Sequence, residues 1–138
     1  MMVVDGKGMI FGRVASRVAK AVIQGEEVHL INAEEMIISG DPKAITDKFL
    51  IRRRVQHKGT PEHSPKWSKV PHMLVKRMIR GMLPFKAARG KAAYKRLMVY
   101  IGNPKKMEAG PKFPGSEPTK GKKYMRVFDL CRMLGYSG

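Results

Sequence analysis

The chain has 138 residues, 43% of them hydrophobic, and carries 28 Lys and Arg against 11 Asp and Glu, for a net charge of +17 and a pI near 10.4. This apolar content excludes global disorder, and the length suits one domain spanning residues 1–138 with little room for a second core. The lone Cys131 excludes an internal disulfide and fits a reducing compartment, while no run of about 18 apolar residues predicts a membrane span.

The opening MMVVDGKGMIFG has no basic stretch ahead of a long apolar one, so no secretory leader is expected and the protein reads as cytoplasmic. Within it, MVVDG predicts a first strand closed by a turn. Phe11, Val14, Ala15, Val18, Ala19 and Val22 follow helical spacing, predicting one buried stripe that ends near Gly25. Residues 28–31 predict a buried strand, and residues 36–38 a second apolar piece. Asp41 before Pro42 predicts an N-cap and a first helical position, with the helix running to about Leu50.

Residues 55–71, rich in Pro, Gly and Lys, predict a long loop of the kind ordered by a partner. Beyond it, Leu74, Val75, Met78, Ile79 and Met82 share one side of a helix, with Lys76, Arg77 and Arg80 opposite. A second helix places Gly90, Ala93, Tyr94 and Leu97 on one stripe, and LMVYI predicts a core strand. A connector over residues 102–123 leads to a closing helix with Val127, Leu130, Cys131 and Leu134 on one face. Alternating strands and helices predict an α/β domain with a mainly parallel sheet, basic loops and a C-terminal helix.

Three motifs invite chemical readings and are weighed against plainer ones. The segment GKGMIFG at residues 6–12 stands where a dinucleotide fingerprint belongs, with Glu34 and Glu35 at about the distance of a ribose ligand. Phe11 occupies the third-glycine position, so a tight strand-to-helix turn accounts for it better. In RGKAA, Ala92 follows Gly90 and Lys91 where a phosphate loop needs Ser or Thr, and Phe85 replaces its first glycine. His29, His57, His63 and His72 match no zinc spacing, and Cys131 fits a buried inert thiol. No metal or cofactor is expected.

The excess charge is local. Residues 1–51 hold six basic and seven acidic side chains, whereas residues 52–106 hold sixteen basic ones and a single acid, Glu62. The sixteen are Arg52, Arg53, Arg54, Lys58, Lys66, Lys69, Lys76, Arg77, Arg80, Lys86, Arg89, Lys91, Lys95, Arg96, Lys105 and Lys106. A solvated surface mixes both signs, so this block is expected to meet phosphates. Trp67 inside it reads equally as a platform for a base or sugar and as a plug holding the loop down. No helix-turn-helix, zinc-finger or basic-zipper pattern appears, so structured RNA rather than DNA is the expected partner.

The stretch RGMLPFKAARGKAAYKRLMVYIG, together with DGKGMIFGRVASRVAK and GEEVHLINAEEMIISG, closely resembles the universal large-subunit ribosomal protein family numbered thirteen. The middle RRRVQHKGTPEHSPKWSKVP resembles its archaeal and eukaryotic branch. Arg80, Gly81, Met82, Leu83 and Pro84 match the family turn, Gly90 and Lys91 its helix start, and Leu97, Val99 and Gly102 its closing strand. The resemblance implies a three-layer α/β/α domain with a four-stranded parallel sheet and no catalysis. It implies binding to large-subunit ribosomal RNA beside neighbouring ribosomal proteins, as a monomer within the ribosome and a contributor to subunit assembly. A nucleotide-binding enzyme using residues 6–12 and a free messenger-RNA regulator are the alternatives.

Overall fold

The computed structural model describes residues 1–110 and 112–137. Strand β1 (Met2–Asp5) leads into helix α1 (Phe11–Ile23), then β2 (Val28–Ile31), a 3-10 turn (Ala33–Glu35), β3 (Ile37–Ser39) and α2 (Pro42–Arg54). A 3-10 turn (Pro61–His63) interrupts the following loop before α3 (Pro71–Arg80), α4 (Ala88–Arg96), β4 (Leu97–Val99), β5 (Tyr124–Arg126) and α5 (Val127–Met133).

The α/β class is as expected, but the sheet differs from the four parallel strands implied by the resemblance. Three strands pair in parallel in the order β1-β2-β4, with Val28 opposite Met2 on one side and Leu97 on the other. The remaining strands form a separate antiparallel pair, β3 with β5, in which Ile38 faces Met125. The reason is local: β3 leaves the sheet to follow the start of α1, where Ile37 N–H donates to the Met9 carbonyl at 2.9 Å and Ile10 bridges Ile37. Strand β5 carries no signal in the sequence, because three residues are too few to show a period and its partner lies far upstream.

All four residues of β2 are buried, so both faces of the sheet are covered. Strand β4 is an edge strand rather than the expected core strand: Leu97 and Val99 point inward while Met98 is exposed. One cluster of buried residues joins the elements, with Val14, Val18 and Val22 of α1, Leu74, Val75 and Ile79 of α3, and Leu130 of α5 all fully enclosed. Each such side chain contributes roughly 1.5–3 kcal/mol through lost water contact.

Helix ends depart from expectation in two informative places. Helix α2 runs a turn beyond Leu50, so Arg52, Arg53 and Arg54 form its last turn, where cations meet the negative end of the helix dipole. Its Asp41 N-cap makes no side-chain cap bond; the Pro42 start supplies the entry geometry instead. Helix α3 stops at Arg80 with Gly81 as its cap, which takes Met82 off the buried stripe and into solvent.

Candidate nucleic-acid interface

Two short helices carry the basic block. Helix α3 buries Pro71, Leu74, Val75 and Ile79, which turns Lys76 and Arg77 to a half-buried flank and Arg80 outward. Between α3 and α4 the chain reverses through Leu83 N–H to the Arg80 carbonyl (3.0 Å) and Ala87 N–H to the Pro84 carbonyl (2.9 Å), with Leu83 buried beneath. Gly90 sits on this turn. A Cβ there would overlap the Pro84 carbonyl and come within 2.9 Å of the Phe85 nitrogen. The glycine of the signature therefore lets α4 close on its own preceding turn. Ala93, fully buried, sets the depth of the same face, and Arg89, Lys91 and Lys95 emerge on the exposed one.

Partners within the chain divide the sixteen cations. Arg53 donates to the Trp67 carbonyl at 2.8 Å, and Arg77 donates to the Lys66 carbonyl. The Trp67 ring meets the edge of Phe49, with the Arg77 guanidinium 4.1 Å and the Arg52 guanidinium 5.0 Å from its centroid. Half-buried against the core, Trp67 thus pins the 55–71 loop onto α2 and α3. Arg96 donates to the Val22 carbonyl at 2.9 Å, tying α4 to the end of α1. Lys76 lies 4.7 Å from the Tyr94 ring centroid, Arg80 4.3 Å from that of Phe85 and Lys105 5.4 Å from that of Tyr100. Tyr94, Phe85 and Tyr100 escaped the sequence reading as partners of the cations. The one available signal was aromatic residues interleaved with Lys and Arg through residues 85–105.

Arg54, Lys58, Lys66, Lys69, Lys86, Arg89, Lys91, Lys95 and Lys106 are all exposed. Lys106 sits in a left-handed turn residue at φ 50°, within a loop clamped by Asn103 Nδ2 donating to the Met107 carbonyl (2.8 Å). Among the described residues, no carboxylate comes within 4.0 Å of any of the sixteen; the ion pairs present are Lys7–Glu35, His29–Glu27 and Arg126–Asp129, all outside the block. Burial holds the Lys76 ammonium below its ordinary pKa, and burial followed by the nearby Arg80 charge does the same to Arg77.

The competing sites are occupied by the chain itself. Residues 113–116 lie over the start of α1: Ile10 N–H donates to the Ser116 carbonyl (2.7 Å), Arg13 donates to the Gly115 carbonyl, and Arg17 donates to the Pro114 carbonyl (3.1 Å). Gly6 is there because Met36 packs against it; a Cβ would stand 2.7 Å from Met36 Cγ. At the carboxyl ends of the parallel strands, where open α/β sheets take ligands, Asn32 Nδ2 donates to Asp5 (2.9 Å) and Gly102 N–H donates to Glu34 (3.0 Å). Glu34 is therefore engaged with the fold. His29, buried, lies 3.0 Å from the Tyr100 hydroxyl and 2.8 Å from Glu27. Cys131 is fully buried, and burial pushes its thiol pKa up to about 12. No group of three or more metal-ligating side chains and no helix long and apolar enough to cross a membrane occurs among the described residues.

Residues 1–106 match the family described as Ribosomal protein L13. Among archaeal relatives, the large ribosomal subunit protein uL13 of Methanococcoides burtonii is 40% identical over 98% of this chain and 98% of its own length. That of Methanocaldococcus jannaschii is 38% identical over 98% of each chain, and that of Archaeoglobus fulgidus 34% identical over 99% of this chain and 88% of its own. With the signature turn, the basic helix pair and these matches in agreement along nearly its full length, the chain belongs to the Ribosomal protein L13 family.

Proposed function

We propose that this protein is a structural constituent of the large ribosomal subunit, binding large-subunit ribosomal RNA through the face formed by α3, α4 and the flanking loops. It acts as one domain over residues 1–138, a monomer in the cytoplasmic ribosome, with neighbouring ribosomal proteins as its other partners. Its part is to hold RNA in shape during and after subunit assembly, without catalysis. The observation that carries this reading is that, among the described residues, no carboxylate comes within 4.0 Å of any of the sixteen cations. Such a surface is self-repelling alone and is relieved by a polyanion. Exposed Arg89, Lys91 and Lys95 are the free phosphate ligands of α4, joined by Arg54, Lys58, Lys66, Lys69, Lys86, Lys105 and Lys106. Arg52, Arg53, Arg77, Arg96 and Trp67 support them by fixing the loop and helices that carry them, and Arg80 and Lys76 do both. Phosphate contacts position the domain, and the shape of the folded RNA supplies specificity.

Gradient sedimentation of a cell extract tests this directly. The protein is expected with large subunits after RNase inhibition; recovery only in light messenger-ribonucleoprotein fractions would favour the regulator, and a soluble peak with no RNA would end the RNA reading.

A further inference from the structure

A cleft of about 530 Å³ opens beside α3 and β4, lined by Lys66, Lys76, Arg80, Tyr94, Met98 and Tyr100 among others. Its volume falls in the range of about 300–1,000 Å³ that takes a small organic ligand. None of its lining residues is acidic. His72, also on its wall, has Nδ1 shut from solvent with no hydrogen-bond partner among the described residues. Lys76, half-buried on the same wall, has no carboxylate within 4.0 Å among the described residues. The walls combine two chemistries: cations that need an anion, and flat or thioether surfaces that suit an aromatic ring. A bare phosphate would use only the first, and an apolar peptide only the second.

Resting on the RNA-binding reading, we propose that this cleft seats one unstacked nucleotide of the bound RNA, its base against Tyr94, Met98 and Tyr100 and its phosphate toward Lys66, Lys76 and Arg80. A paired base inside a helix cannot enter such a recess, so the nucleotide comes from a bulge, loop or extruded position. The exposed flank of α4 reads backbone charge alone; the cleft would add a contact that depends on where RNA can present a free base.

The test fills the cleft without touching its charge. Met98→Trp and, separately, Met73→Trp place a bulky ring at positions that are 39% and 53% exposed, where folding tolerates it. With naked large-subunit rRNA as the probe, each is expected to lose roughly tenfold or more in affinity while keeping the wild-type salt slope. Lys76→Ala is expected instead to flatten that slope by about one unit. Ultraviolet crosslinking of wild-type protein in isolated large subunits is expected to leave nucleotide adducts on Tyr94 or Tyr100. Wild-type affinity in both folded Trp variants, or adducts confined to Lys86, Arg89, Lys91, Lys95 and residues 55–65, would overturn the cleft while leaving RNA binding in place. Salt-independent or absent binding by the wild-type protein would overturn the RNA reading itself.

Discussion

Helices α1 and α4 each set Arg or Lys beside an apolar stripe, and the two look alike as sequence. In the structure they differ in what answers the charge. Arg13 and Arg17 of α1 each donate one hydrogen bond, to the carbonyls of Gly115 and Pro114, and Arg17 also lies 5.3 Å from the Phe113 ring centroid. Arg89, Lys91 and Lys95 of α4 stand exposed with no ion-pair or hydrogen-bond partner among the described residues. A count of basic residues cannot separate a fold-holding arginine from one left free at the surface; the donors already used by the fold can.

The strongest way to break this contrast is to unseat α4. Gly90→Ala forces a methyl into the Pro84 turn, and a loss of about 3 kcal/mol, or failure to fold, is expected in urea denaturation. Wild-type stability would mean that the turn yields and that α4 is not held where its cations need it. Next in size, Arg89→Ala, Lys91→Ala and Lys95→Ala combined should flatten the log-affinity versus log-salt slope for large-subunit rRNA by roughly two to three units, with thermal melting unchanged. Arg96 is left out of that set because its guanidinium serves the Val22 carbonyl.

The mirror experiment sharpens the same distinction. Arg13→Ala with Arg17→Ala should leave the salt slope within error of wild type, cost about 1 kcal/mol of stability, and speed proteolysis near residues 113–116. A slope change matching that of the α4 variant would erase the difference between the two helices. The last effect is confined to alkaline pH and belongs to the core. Burial pushes the folded Cys131 thiol pKa up to about 12 from an ordinary 9.0. Its contribution is therefore complete below about pH 9 and lost as pH climbs toward 12, because the unfolded thiol ionises first. Cys131→Ala should remove that alkaline decline from a stability-versus-pH series and leave RNA binding alone.

Much of the frame was legible in residue order. The α1 stripe from Phe11 to Val22 repeats over three turns, and such a period survives any tertiary context. Helix α2 was less so: it buries only Ile45, Thr46 and Phe49, so nothing in its pattern marked the extra turn through Arg54. The basic block was visible as composition, yet its internal division was not. Whether Trp67 stacks on RNA or plugs the loop depends on Phe49 and Arg52 from α2 meeting Arg77 from α3, a convergence that no local pattern encodes. The same holds for the cleft, whose walls come from the 55–71 loop, α3, α4 and the residues around β4. Gly90 was recognisable by its signature, whereas the carbonyl it makes room for appears only once the 80–87 turn is folded.

The antiparallel pairing of β3 with β5 has a consequence for the order in which the chain matures. Residues 37–39 must wait for residues 124–126, whereas the parallel strands are complete by residue 99. Nascent chains emerge N-terminus first, and distant pairings close last. The cationic half is thus expected to acquire its shape while the tail is still being made. A chain cut after residue 123 should keep slow amide exchange in β1, β2 and β4 while Ile38 exchanges quickly, making residues 124–137 a latch added after the cationic surface is set.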